Sequence, residues 1–207
     1  MEFALLGLLG LLFLKGSPKK ELGSENIDFQ TKKVPAPEER SFLEKIPFIP
    51  SPNFVKKDYR KIDRIIIHIT QGSFASAIGW FKMESSKVSA HFIVSNAGEV
   101  VQMVKLQNVA WHATPYNTRS IGIEHEGYYK YKGKTTRFTK EQYEASAAIV
   151  REVAKKYNIP LDREHIIGHR EVPRVEKSCP GYMWDWDYYM NLLNKRNIVW
   201  LLMNKEV

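Results

Sequence analysis

Residues 64–70, RIIIHIT, decide how the rest of the chain is read. Four isoleucines around one imidazole make a β-branched apolar run, which reads as a buried strand. Side chains alternate along a strand, so Ile65, Ile67 and Ile69 share one face while Ile66, His68 and Thr70 share the other. Taken singly, a histidine in such a strand is ordinarily a hydrogen-bonded core residue. Residues 163–187, REHIIGHREVPRVEKSCPGYMWDWD, change that reading. They set His169 and the only cysteine, Cys179, ten residues apart in a Pro- and Gly-bearing loop. Imidazole nitrogen and thiolate sulfur are zinc ligands, and a catalytic zinc takes three protein ligands and leaves a position open. His68 is the candidate third ligand.

Outward from that strand, residues 73–83 carry Ser73 as an N-cap and Ala77, Ile78 and Phe81 at helical spacing. Residues 90–95 and 98–105 alternate apolar side chains around Asn96, Ala97 and Gly98, the chemistry of a hairpin. A second informative strand is residues 120–127, SIGIEHEG, with Ile121, Ile123 and His125 on one face and Gly122, Glu124 and Glu126 on the other. His125 falls with the isoleucines and reads as structural, whereas Gly122 beside Glu124 leaves room for a ligand to approach the backbone. Residues 139–157 form the clearest helix. Thr139 and Gln142 make a capping box, Tyr143, Ala147, Val150, Ala154 and Tyr157 recur at spacings of four and three, and Asn158 and Pro160 end the run. A last helix is expected from Asp185 toward Asn197. Strands alternating with helices imply an α/β fold, a single domain with a mixed central β-sheet flanked by helices.

Six pieces in order carry a resemblance: IIIHIT, SAHFIVSNAGEVVQ, AWHA, SIGIEHEG, HIIGHRE and KSCPG. From about Lys61 to Asp187 the chain resembles the zinc-dependent N-acetylmuramoyl-L-alanine amidases of the type 2 amidase and peptidoglycan recognition protein superfamily. The resemblance implies a zinc ion in a surface groove, held by His68, His169 and Cys179. It implies Glu124 as acid/base, Lys177 as the cation that stabilises the oxyanion, and His112 of AWHA as a substrate-binding residue at the groove edge. Some relatives use aspartate as third ligand, which leaves Asp185 and Asp187 as alternatives, although KSCPG aligns the cysteine with the ligand position. His91 has no ligand counterpart in the family. The phage-lysozyme branch has a tyrosine immediately before this histidine, where this chain has Ala90, so no role of that tyrosine carries over and the bacterial branch, with its glutamate, is the better match. The implied activity is hydrolysis of the amide bond between N-acetylmuramic acid and L-alanine in peptidoglycan or a muropeptide. The alternative is a peptidoglycan-recognition module that binds without cutting.

The 207 residues suit one globular domain plus an N-terminal extension. The boundaries read as an apolar segment at 1–14, an extended linker at 15–55, the catalytic domain at 56–197 and an apolar tail at 198–207. Residues 3–14 are too short to span a membrane and match a signal-peptide core, but no positive n-region precedes them and lysines follow. An uncleaved anchor or poor signal peptide, an interfacial helix touching a membrane and a misplaced start site all remain readings of that segment. The net charge of +8 is spread along the chain, with 11 basic against 8 acidic residues through Lys61 and 20 against 15 beyond it. That diffuse excess steers toward an anionic wall and lacks the clustered footprint of a nucleic-acid binder, so no nucleic acid is expected. Secretion, tethering toward the cell wall and phage delivery are equally compatible with the sequence.

Overall fold

The computed structural model describes residues 41–128 and 137–195. In chain order the elements are α1 (Phe42–Lys45), β1 (Phe54–Val55), β2 (Arg64–Ile69), α2 (Phe74–Lys82), β3 (Phe92–Val94), β4 (Val100–Gln102), β5 (Val109–Ala110), β6 (Ser120–His125), α3 (Lys140–Tyr157), β7 (Ile166–Gly168) and α4 (Trp186–Asn194). Five strands form one mixed sheet in the order β4-β3-β6-β2-β7, antiparallel at β3–β4 and parallel elsewhere, while β1 and β5 make a separate antiparallel pair. This is the mixed sheet flanked by helices that the alternation of elements implies.

The alternation within β2 and β6 sorts the sheet into two faces. Ile65, Ile67, Ile121 and Ile123 join Phe92 and Val94 in a core with Tyr143, Ile149, Val150 and Val153 of α3 and Tyr189 of α4. Each such aliphatic side chain, removed from water, stabilises the fold by about 1.5–3 kcal/mol. Across the sheet, Ile93, Val101 and Met103 pack on Ala77 and Phe81 of α2, and Ile66 and Ile167 meet Ala113 and Val172. His68 and Glu124 belong to this second face, which α3 leaves uncovered.

Helix α3 starts as its sequence predicts, with Thr139 Oγ1 accepting the Gln142 N–H at 3.1 Å, and Asn158 closes it in the left-handed region at φ 55°. The reciprocal half of the capping box is absent. Gln142 instead sends its side-chain amide to the carbonyls of Val94 and Glu126 at 3.2 and 3.0 Å, tying the ends of β3 and β6 to the helix.

Residues 41–55, assigned from composition to the linker, pack on the domain. Ile49 and Ser51 donate backbone N–H groups to Gln102 and Met103 carbonyls, both at 2.9 Å, and Ile46, Ser51 and Asn53 are buried. The packed region therefore begins before residue 56. At the other end α4 stops at Asn194, short of the expected Asn197. Residues 1–40 and 196–207, which hold the apolar N-terminal segment, the rest of the linker and the apolar tail, lie outside the described residues. No helix among the described residues is long and apolar enough to cross a membrane.

Candidate active site

Strand register brings the first two residues together. His68 lies opposite Glu124 in the parallel β2–β6 ladder, so both project from the same face. His169 opens the turn His169–Glu171 directly after β7, the other neighbour of β2. That turn is braced by Glu171, whose Oε2 accepts the Gly168 N–H at 2.7 Å and whose carboxylate takes a forked pair of hydrogen bonds from Arg163 at 2.7 and 2.8 Å. Arg163 in turn lies 3.3 Å above the ring of Trp186.

The Cys179 loop is latched to both strands. Its carbonyl accepts the Arg170 N–H at 2.9 Å and its sulfur accepts the Ile69 N–H at 3.2 Å. A Cβ on Gly168 would sit 2.8 Å from Pro180 Cδ, so the bare backbone there lets the loop lie against β7.

His68, His169 and Cys179 place their ligand atoms within 4.8 Å of one another, and among the described residues they form the one group suited to a metal ion. The sulfur of Cys179 is 3.7 Å from His68 Nδ1. Tetrahedral zinc, with bonds of about 2.3 Å to sulfur and 2.0–2.1 Å to nitrogen, calls for about 3.5 Å. The residues present therefore fit zinc. Asp185 is occupied elsewhere, capping α4 by accepting the Tyr188 N–H at 2.8 Å, and neither it nor Asp187 joins the cluster. His91 stays apart from it as well, buried with Nδ1 accepting the Gly122 N–H at 3.0 Å and Nε2 beside Arg60 and the Asn108 carbonyl.

Burial governs the charges. It holds His68 well below the usual histidine range, His169 at about 4 and His112 at about 3, with neighbouring imidazoles and the cations Lys177 and Arg60 adding to the effect. All three rings are neutral at pH 7, the state in which a ring nitrogen can ligate. Burial also lifts Glu124 to about 8, and its Oε2 has no hydrogen-bond partner, while Oε1 lies 3.9 Å from His68 Nδ1. Desolvation and the nearby Glu124 raise the Cys179 thiol, against the pull of the Ile69 N–H and Lys177. A cation in the cluster would reverse that balance and hold the thiolate.

These groups line a groove of about 310 Å³. Lys177 is exposed on its rim beside Cys179, and Thr70, Gln71, Trp80, Val88 and Trp111 complete the walls. Trp80 is 52% exposed although it belongs to α2. Its position off the Ala77–Phe81 stripe is the signal that could have marked it. Larger depressions of about 440 and 690 Å³ run past Phe48 and Lys105, away from the cluster.

Two histidines support His68. His125, structural as its strand face implies, donates Nδ1–H to the His68 carbonyl at 2.8 Å, which leaves Nε2 to accept from Ser146 Oγ at 2.8 Å. The Ser146 oxygen then accepts from Tyr189 at 2.6 Å. His112 lines the groove, and its Nδ1 lies 3.0 Å from His68 Nε2. It also takes the space opened by Gly122, where a Cβ would come within 2.6 Å of the imidazole Cγ and Nδ1. The gap in β6 thus admits a neighbouring ring, not a ligand.

The family model for N-acetylmuramoyl-L-alanine amidases of type 2 matches residues 58–182. N-acetylmuramoyl-L-alanine amidase A of Achromobacter lyticus is 29% identical over 148 residues, covering 63% of this chain and 82% of the relative. The 1,6-anhydro-N-acetylmuramyl-L-alanine amidase AmpD of Escherichia coli is 34% identical over 117 residues, covering 53% of this chain and 60% of its own length. The match thus spans about three fifths of AmpD. A solved AmpD derivative superposes with a TM-score of 0.58 at 25% identity, covering 73% of this chain and 96% of that one.

Proposed function

Because this chain belongs to the N-acetylmuramoyl-L-alanine amidase family and is an amidase of that kind, we propose that it hydrolyses the bond between N-acetylmuramic acid and L-alanine of peptidoglycan or its fragments by zinc-dependent chemistry. The observation that carries the reading is the His68, His169 and Cys179 cluster gathered within 4.8 Å beside the buried carboxyl of Glu124. His68, His169 and Cys179 would hold the ion. Zinc, when bound, supplies hydroxide at neutral pH and polarises a carbonyl, which meets the two demands of amide hydrolysis.

The remaining steps belong to the protein. Glu124 stands in the groove with one oxygen free of hydrogen bonds, so it can take the proton of the attacking water and pass it to the departing amine. Its burial suits both halves of that task, because a carboxyl with a pKa near neutrality gives up a proton as readily as it takes one. Lys177, on the rim beside Cys179, would offer its ammonium to the oxyanion that forms at the scissile carbonyl. Trp80, Val88 and Trp111 wall the groove.

The test is incubation of the full chain with purified peptidoglycan, with and without a zinc chelator, reading newly exposed N-terminal L-alanine. Chelator-sensitive release supports the reading. Folded, zinc-loaded protein that binds peptidoglycan and releases no alanine termini would replace it with a recognition module.

A further inference from the structure

His68 has two ring nitrogens, and a metal ligand must present a bare one. The hydrogen bonds behind the strand decide which. Ser120 Oγ lies 2.7 Å from the Tyr116 carbonyl, which can only accept, so the hydroxyl proton is committed there. The same oxygen lies 3.3 Å from His112 Nε2 and is left to accept, which puts the His112 proton on Nε2. A neutral imidazole carries one N–H, so His112 Nδ1 offers a lone pair, and the group 3.0 Å away, His68 Nε2, must donate to it. The remaining nitrogen, His68 Nδ1, is then bare, and it is the one that faces Cys179 Sγ at 3.7 Å.

We propose that His112 is a positioning residue whose acceptor nitrogen, fixed by Ser120 and the Tyr116 carbonyl, holds His68 in the tautomer that presents Nδ1 to the metal cluster. The inference rests on reading that cluster as a zinc site. The geometry around His112 is suited to the task. Its backbone N–H and that of Ala113 both donate to Asn117 Oδ1, at 3.0 and 2.6 Å, and the ring lies flush on Gly122. Outer partners of metal-bound histidines are ordinarily carboxylates, backbone carbonyls or water. Here a second imidazole fills that place, itself set by a serine.

Two measurements on the full chain test the proposal. Long-range 1H–15N correlation spectra of the metal-free protein report tautomers directly, and both His68 and His112 are expected with the proton on Nε2. Zinc affinity is then measured by competition with a chelating fluorophore. His112→Ala is expected to weaken zinc by about 10–100-fold, the usual effect of removing an outer partner. His112→Asn, whose side-chain oxygen can take the place of Nδ1, is expected to recover most of that loss. Ser120→Ala frees the His112 proton to move to Nδ1 and should weaken zinc without touching a ligand. A His68 proton found on Nδ1 overturns the proposal, as does wild-type zinc affinity in both His112→Ala and Ser120→Ala. Failure of the wild-type protein to bind zinc would instead remove the metal reading, with the tautomers still judged by the spectra.

Discussion

Replacing Gly122 by alanine should be costly for a reason confined to one contact. The added methyl would sit 2.6 Å from His112 Cγ, 2.6 Å from Nδ1 and 2.9 Å from Cε1. Ordinary contact begins near 3.4 Å, so the ring must retreat by about 1 Å, an overpacking adjustment that typically costs about 1–3 kcal/mol. Retreat is resisted on both sides, by the 3.0 Å bond to His68 and the 3.3 Å bond to Ser120. Alanine in a strand recovers about 0.5–1 kcal/mol relative to glycine, which lowers the net loss only in part. The net loss is then about 0–2.5 kcal/mol, and at about 2–4 °C per kcal/mol for a domain of this size thermal unfolding of chelated protein should move down by as much as ~10 °C. In a His112→Ala background the obstacle is gone, and Gly122→Ala should become neutral or slightly stabilising. The coupling in that double-mutant cycle should be about 1–3 kcal/mol. Equal cost in both backgrounds would refute the assignment of the space to the His112 ring.

Glu124→Gln keeps the shape of the side chain and removes its proton transfer, so turnover should fall by about 10²–10⁴-fold while zinc stoichiometry, read by atomic absorption, is retained. The same variant isolates a pH effect in metal-free protein. Glu124 has a folded pKa of about 8 against an ordinary 4.5, so the folded state binds its proton more tightly. That contribution is full below about pH 4.5 and is lost as pH rises toward 8. Wild type should therefore lose stability relative to Glu124→Gln between pH 5 and 8, by a few kcal/mol on the order of the shift, and parallel urea titrations at the two pH values would expose an absence of divergence. Cys179→Ser exchanges a thiolate for a poor zinc ligand, and dialysis against a weak chelator should strip it of metal that the wild type keeps.

Much of the groove was legible from alternation. A period of two puts His68 opposite the core isoleucines and separates Glu124 from His125, and the β2–β6 register then brings His68 and Glu124 side by side. Sheet order was not legible, because nothing local to residues 64–70 says that β6 and β7 flank it. The occupant of the space at Gly122 was hidden for a related reason. His112 reaches it from a loop, and a loop residue carries no periodicity that would aim its ring. Residues 41–55 misled because their anchors are mixed, with Phe42, Leu43, Ile46 and Ile49 packing on the two cores without a sustained period and polar contacts holding the rest. Asn53 alone donates to the carbonyls of Met83 and Val88 at 2.8 and 3.2 Å and to Ser86 Oγ at 2.9 Å.

The central place of β2 has a consequence for synthesis of the chain. Its residue Ile65 pairs on one side with Ile121 and on the other with Ile166, 101 residues downstream. At about 5–20 residues per second, some ~5–20 s pass between the emergence of residues 64–70 and the arrival of their last partner. Until β6 emerges this isoleucine-rich strand has two open edges, and from then until β7 arrives it keeps one, a template for pairing with other nascent chains. A chain cut short before β7 would remain in that condition, and aggregation during expression is the outcome to expect of it.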